Sequence, residues 1–84
     1  MRTIGPQVDN ELMRRVRREL NRRYSVDCSR VQVRVSYGVV YLTGEIRGTR
    51  GMEGSVKEEL ETIRNILLHI SGVREIVDNQ LHVL

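Results

Sequence analysis

Residues 31–43 read Val-Gln-Val-Arg-Val-Ser-Tyr-Gly-Val-Val-Tyr-Leu-Thr and carry the most regular pattern in the 84-residue chain. Valines alternate with polar residues up to Ser36, which is typical of a strand with one buried face. Tyr37-Gly38 interrupts the pattern, and a second apolar run follows at once. Because glycine readily adopts the positive φ that a tight turn requires, we predict a β-hairpin here.

An amphipathic helix is predicted before the hairpin. Asp9 stands at an N-cap position, where its carboxylate can accept hydrogen bonds from the backbone N–H groups of the first turn. Leu12, Val16 and Leu20 then recur at four-residue steps and form one apolar stripe. We therefore predict a helix over about residues 10–23.

A second helix and a last strand are predicted after the hairpin. Residues 47–54 hold three glycines and are expected to form a mobile loop. Ser55 and Glu58 have the spacing of a capping box, so the helix is predicted to begin at Val56 and to close at Ser71-Gly72. Alternating apolar residues near the end of the sequence predict a final strand.

The predicted element order is αββαβ, and each element has one apolar face. Two helices and a sheet can bury such faces only by stacking on each other. We therefore expect an α+β two-layer sandwich, in which two helices cover one face of a three-stranded sheet. Residues 1–8 are predicted to be a flexible lead-in, and residues 9–84 a single domain. A sandwich of this size is expected to leave little volume for a substrate cleft.

The composition fits a small globular domain, with 39% hydrophobic and 30% charged residues. Its apolar runs are short, so no segment is expected to span a membrane. The single cysteine, Cys28, excludes an internal disulfide and is expected to be a small, semi-buried residue. The first residues lack the apolar run of a signal peptide, which predicts a cytoplasmic protein. A periplasmic or envelope-associated location is expected if the sequence belongs to a longer exported chain.

Positive charge is concentrated in the first part of the chain. Residues 1–34 hold nine arginines against four acidic residues, whereas residues 35–84 hold five basic residues against seven acidic ones. On the first helix, the side opposite the apolar stripe suits an anionic partner: phospholipid headgroups, an acidic protein surface or a nucleic-acid backbone. The candidate anion-binding residues are Arg14, Arg15, Arg17, Arg18 and Arg22.

Ion pairs within the helix favour a second interpretation of these arginines. Glu11 lies four residues before Arg15, and Glu19 lies four residues before Arg23, a spacing at which opposite charges pair on a helix. The arginines would then form an ordinary solvated face with part of its charge cancelled.

The solvent face of the predicted sheet is a second candidate surface. An aromatic ring beside cationic side chains can stack a base or settle at a headgroup boundary. The chain has three tyrosines and no Phe or Trp, so few aromatic rings are available to stack on bases. The face can instead pair with a second copy of the chain or simply remain exposed. Its predicted members are Arg34, Tyr41, Thr43 and His82, together with Gln32 and Val39.

No residue pattern predicts catalysis, and no cofactor is expected. His69 and His82 have no acidic or cysteine partner at ligand spacing, so no metal site is predicted. Residues 48–51, Gly-Thr-Arg-Gly, have the form by which KH domains grip a nucleic-acid backbone. That loop joins two helices in KH domains, whereas here it follows a strand, so the motif is a weak indication of nucleic-acid binding.

Three segments taken together resemble the BON domain family. The most specific is Gly38–Ile46, which reads Gly-Val-Val-Tyr-Leu-Thr-Gly-Glu-Ile and places its glycines at a turn and near a strand end. The resemblance covers residues 9–83 and implies an αββαβ fold. The other two segments are Asp9, Leu12, Val16 and Leu20 in the first helix, and residues 72–76 followed by Asn79, Leu81 and Val83.

The resemblance implies a non-enzymatic module of bacterial envelope and osmotic-stress proteins that binds phospholipid or other envelope components. Compared with the commonest family spacing, one extra residue lies between Ile76 and Leu81, which predicts a β-bulge near Asp78. The predicted function is non-catalytic binding of anionic phospholipid or envelope surfaces by the first helix. The alternatives are protein interaction or self-association through the sheet face, and nucleic-acid binding through the helix arginines.

Overall fold

The computed structural model describes residues 9–51 and 56–84. The predicted lead-in over residues 1–8 and the predicted cap at Ser55 lie outside the described residues. The described chain forms two helices and four strands in the order α1, β1, β2, β3, α2 and β4. Their bounds are Asn10–Asn21, Val26–Asp27, Val31–Ser36, Val39–Gly48, Val56–Leu68 and Glu75–Val83.

The long strand β3 organises the sheet because all three other strands pair with it. Strands β1 and β2 run antiparallel to β3, and β4 runs parallel to it. The predicted α+β fold is confirmed. The sequence analysis missed only β1, since a two-residue strand is too short to show a period-2 pattern.

The core lies between the two helices and one face of the sheet. Val16 of α1 and Leu42 of β3 are 0% and 1% exposed, and Leu60 of α2 packs against the same cluster with part of its surface exposed. The predicted apolar stripe of α1 is therefore the buried one. The helix ends at Asn21, two residues earlier than predicted, and Asp9 caps its start by accepting from the Leu12 N–H at 2.9 Å.

The β2–β3 turn and Gly44 explain the spacing of the glycines in the hairpin. Tyr37 and Gly38 both have positive φ, at 54° and 80°, the combination typical of a type I′ hairpin turn. At Gly44, where φ is 96°, a Cβ atom would lie 2.1 Å from the backbone oxygen of Arg30. Only glycine allows that approach, which accompanies a hydrogen bond from the Glu45 N–H to the same oxygen.

The predicted bulge in the last strand is confirmed. The register runs from Tyr41 opposite Val77 to Thr43 opposite Gln80, so β4 holds one residue more than β3 between these pairs. The bulge is tied to α2, because Arg64 donates a hydrogen bond to the Asp78 carboxylate at 2.8 Å.

Two predictions about β3 are wrong in detail. The first residues of the predicted 47–54 loop, Arg47 and Gly48, belong to β3 because β1 pairs with them. Val39, predicted to be exposed on the solvent face, is 8% exposed. It lies on a central strand between Ser36 of β2 and Glu75 of β4, and neighbours on both sides limit its access to solvent.

Candidate anion-binding surface of helix α1

Helix α1 lies against β2, with its apolar stripe turned inward and most of its arginines turned outward. The cap residue links the two elements directly, because the Asp9 N–H donates to the backbone oxygen of Val35 at 3.1 Å. Arg14, Arg15, Arg18 and Arg22 are all exposed. Arg22 is the C-cap residue that follows α1, and the other three lie on the helix. Four of the five predicted anion-binding residues therefore reach solvent on or directly after one helix.

Two of these arginines have carboxylate partners within the helix. Arg15 lies 3.7 Å from Glu11, and Arg22 lies 3.3 Å from Glu19. Both arginine side chains keep at least half of their surface exposed, at 51% and 70%. Exposed pairs of this kind contribute about 0–1 kcal/mol, so an anionic partner can displace them at small cost.

Arg14 and Arg18 differ from Arg15 and Arg22 in their surroundings. Across residues 9–51 and 56–84, neither guanidinium has a carboxylate within 4.0 Å. They are one helical turn apart, a spacing of about 6 Å, and therefore face the same way. We call Arg14, Arg15, Arg18 and Arg22 the α1 arginine surface.

Arg17 is placed differently from the other predicted residues. Its Nη1 donates to the backbone oxygen of Cys28 at 3.1 Å, and its Nη2 donates to that of Val31 at 2.6 Å. The side chain is half-buried between α1 and the turn that precedes β2. An external anion would have to compete with these bonds, so we do not include Arg17 in the α1 arginine surface.

The predicted pair between Glu19 and Arg23 is wrong. Glu19 pairs with Arg22 instead, and Arg23 forms a short ion pair and hydrogen bond with Glu59 of α2. That hydrogen bond is the main reason why the pKa of Glu59 is lowered, and Ser25 adds a second one. The sequence could not show this contact, because Arg23 and Glu59 become neighbours only when the helices pack.

The second predicted surface is assembled in part. Arg34 and Tyr41 are direct register partners, Thr43 lies two residues further along β3, and all three line one shallow depression on the sheet. His82 lies on β4 opposite Glu45 and does not line that depression. Tyr41 is 38% exposed, in the middle of the face that the helices leave uncovered.

Open depressions are larger than the sequence analysis expected. One of about 850 Å³ lies at the β1 end and is lined by Tyr24, Cys28 and Arg47, among others. A second, of about 750 Å³, lies between α1 and β2. Cys28 itself is 5% exposed, and burial raises the pKa of its thiol, which opposes formation of a reactive thiolate. Within the described ranges, no three His, Cys, Asp or Glu side chains are placed to hold a metal ion.

Comparison with known families identifies one that covers nearly the whole chain. The model of the BON domain family matches residues 8–84. The chain belongs to the BON domain family. BON domains are binding modules found in bacterial envelope proteins, and a search of curated proteins returns no match to this one.

The BON domain described here has no membrane-spanning helix in its described ranges: neither α1 nor α2 has the length and apolar character to cross a bilayer.

Proposed function

We propose that this BON domain is a non-catalytic module that binds anionic phospholipid surfaces through the α1 arginine surface. The observation that carries the proposal is the placement of Arg14 and Arg18, which are exposed, adjacent and without a carboxylate neighbour among the described residues. A guanidinium presents several N–H donors in a plane, which suits the oxygens of a phosphate group.

The expected affinity follows from the number of guanidinium groups that reach the surface. Each basic group near an anionic membrane contributes about 1 kcal/mol at low ionic strength. Arg14 and Arg18 contribute most, since the charges of Arg15 and Arg22 are partly neutralised by Glu11 and Glu19. Binding is therefore weak to moderate, and salt reduces it strongly.

Vesicle flotation tests this proposal. We expect the wild-type domain to float with vesicles of phosphatidylglycerol at low salt, to float much less at high salt, and not to float with vesicles of phosphatidylcholine alone. The double variant Arg14→Glu/Arg18→Glu is expected to stay at the bottom of the gradient. The control Arg50→Glu/Lys57→Glu has the same net charge as that variant and should still float.

Two results would contradict the proposal. One is no binding of the wild-type domain to anionic vesicles at low salt. The other is equal loss of binding in the two double variants, because net charge and not the α1 arginine surface would then govern binding. A companion titration with short DNA and RNA duplexes examines the nucleic-acid alternative, for which the same Arg14 and Arg18 variant should weaken binding and reduce its dependence on salt.

Self-association through the uncovered sheet face is a second candidate function. It is favoured by the exposed ring of Tyr41 beside the exposed Arg34, in the middle of a face without a helix over it. Sedimentation velocity should then show a dimer that Tyr41→Glu dissociates. If the domain is a monomer at every concentration up to about 1 mM, a range that covers weak dimers, self-association through this face is excluded.

A further inference from the structure

On the outer edge of β2, one pair of backbone groups has no hydrogen-bond partner among the residues that the structure describes. On this edge, the Val31 N–H donates to Cys28, the Val31 oxygen accepts from Arg17, and the Val35 oxygen accepts from Asp9. Alternate residues of a strand point their backbone groups to the same edge, so the N–H and C=O of Val33 also point away from β3. No hydrogen bond to either group is formed by residues 9–51 and 56–84.

A groove runs along this edge, and its charged lining residues are arginines. One of them, Arg30, forms an exposed ion pair with Glu45 at 3.7 Å, which an acidic partner can displace at small cost. The depression of about 750 Å³ between α1 and β2 shares Met13, Gln32 and Val33 with the depression of about 470 Å³ on the sheet face. The two are therefore continuous across the β2 edge. No Asp or Glu lines either depression, and the arginines that line them are Arg14, Arg17, Arg30 and Arg34.

We propose that the β2 edge binds an extended, acidic peptide segment of a partner protein, which adds to the sheet as a further strand. The N–H and C=O of Val33 form the backbone hydrogen bonds, and Arg14, Arg30 and Arg34 bind carboxylates on both sides of the added strand. Met13 and Val33 supply the apolar floor for the alternate side chains of the peptide.

A peptide fits these observations better than an acyl chain or the chain's own first residues. A hydrocarbon chain in the groove would cover the Val33 backbone groups without satisfying their hydrogen bonds, which is unfavourable. Residues 1–8 carry Arg2 and no carboxylate, so their charge does not match a groove lined by arginines. The outer edge of β4, which no described strand pairs with, is less suited because the bulge at Asp78 interrupts its alternation.

The free stretch is short, and this limits the contact. The oxygens of Val31 and Val35 already have partners inside the domain, so the added strand pairs chiefly with Val33. Two backbone hydrogen bonds of about 1 kcal/mol each correspond to a change in affinity of roughly tenfold or more. The arginines supply the preference for acidic sequences and the dependence on salt.

Backbone methylation of a synthetic peptide tests the proposal. The probe is a seven-residue peptide of alternating Glu and Val, compared with two peptides of the same sequence that are N-methylated either at every Val or at every Glu. In a strand these two sets of N–H groups point to opposite edges. One methylated peptide should therefore lose about tenfold or more in affinity, and the other should bind as the parent does.

Amide chemical shifts and matched variants locate the contact. On adding the parent peptide, the largest changes are expected at Val33 and its neighbours. Arg30→Gln and Arg34→Gln should each weaken binding several-fold, whereas Arg50→Gln removes an exposed arginine outside both depressions and should not. The proposal is overturned if the parent peptide does not bind, if the methylated peptides bind alike, or if the shifts avoid β2. None of these outcomes depends on vesicle binding, so the two proposals fail separately.

Discussion

The guanidinium of Arg17 donates a 2.6 Å hydrogen bond to the backbone oxygen of Val31, and this bond joins helix α1 to the start of strand β2. A second bond from the same group reaches Cys28, in the turn between β1 and β2. One arginine of the basic helix therefore holds the helix against the sheet edge, while Arg14 and Arg18 remain available to an external partner. Arg17 therefore has a structural role, whereas Arg14 and Arg18, on the same helix, are the residues proposed to bind a partner.

Replacing Arg17 by Lys is expected to lower the free energy of unfolding by about 1–2 kcal/mol, since an ammonium group cannot form both planar hydrogen bonds. Chemical denaturation measures this change. Arg18→Lys, which alters an exposed residue on the same helix, serves as the control and should leave stability within about 0.5 kcal/mol of the wild type. Equal stability of the two variants would show that the bonds of Arg17 contribute nothing. Vesicle binding of Arg17→Lys should match the wild type.

The ion pair between Arg23 and Glu59 is expected to make the free energy of unfolding depend on pH in the acidic range. The hydrogen bond from Arg23 is the main cause that lowers the pKa of Glu59 below its ordinary value of 4.5, whereas burial acts to raise this pKa. A lowered pKa in the folded state stabilises the fold fully above 4.5, and this contribution is lost as the pH falls through the folded pKa. We expect Glu59→Gln to cost about 1–2 kcal/mol at pH 7 and much less at pH 3.

The free energies of unfolding of the wild type and of Glu59→Gln should therefore approach each other as the pH falls. Denaturation of both proteins at several pH values between about 3 and 7 measures this, because carboxylates titrate in that range. Glu61→Gln removes an exposed carboxylate from the same helix and should give a curve parallel to that of the wild type. A constant gap between the wild type and Glu59→Gln at all pH values would be inconsistent with a stabilising ion pair.

Gly44→Ala is expected to be among the most destabilising substitutions in the hairpin. The added Cβ would meet the backbone oxygen of Arg30 at 2.1 Å, in addition to the strain of a φ of 96°. Gly51→Ala is a matched control, because its φ is 89° but no described residue other than its chain neighbours places a heavy atom within 4 Å of the new Cβ. The strain costs about 1–3 kcal/mol in each variant. Because the contact with Arg30 destabilises Gly44→Ala further, this variant should unfold at a temperature well below that of Gly51→Ala. Equal unfolding temperatures would exclude a role for the close approach.

Cys28 provides a single chemical reporter of the β1–β2 region. Its side chain is buried, and burial raises the pKa of the thiol, so both access and thiolate formation are restricted. The test uses a disulfide reagent at about pH 8, near the ordinary thiol pKa of about 8.5. The folded domain should react at least about a hundredfold more slowly than the denatured chain, because Cys28 reacts only when the structure around it opens. Reaction at the denatured rate would mean that this region is open.

The elements with a clear period were predictable from the sequence. The alternation of residues 31–36 and the four-residue steps of Leu12, Val16 and Leu20 each report which face an element buries, and both predictions are confirmed. The bulge near Asp78 was also predicted correctly, because the sequence holds one residue more there than the commonest spacing of the BON family.

Contacts that depend on packing were not predictable. Arg17 binds a backbone carbonyl and Arg23 binds a distant carboxylate because of where α1 lies relative to β2 and α2. The spacing of residues along one helix does not contain this information. The same reason explains Val39, whose pattern matched the exposed face but whose neighbours on both sides cover it. The role of Arg14 and Arg18 in binding an anionic partner stays a prediction.

Paramagnetic broadening in anionic bicelles gives the sharpest test of the α1 arginine surface as the membrane contact. The domain carries 15N, and the bicelles contain phosphatidylglycerol and a nitroxide-labelled lipid at low salt. Amides around Arg14 and Arg18 should lose the most signal, and those of Tyr41 and Thr43 on the sheet should lose little. Strongest broadening on the sheet, or no broadening anywhere on the domain, would contradict membrane binding by helix α1.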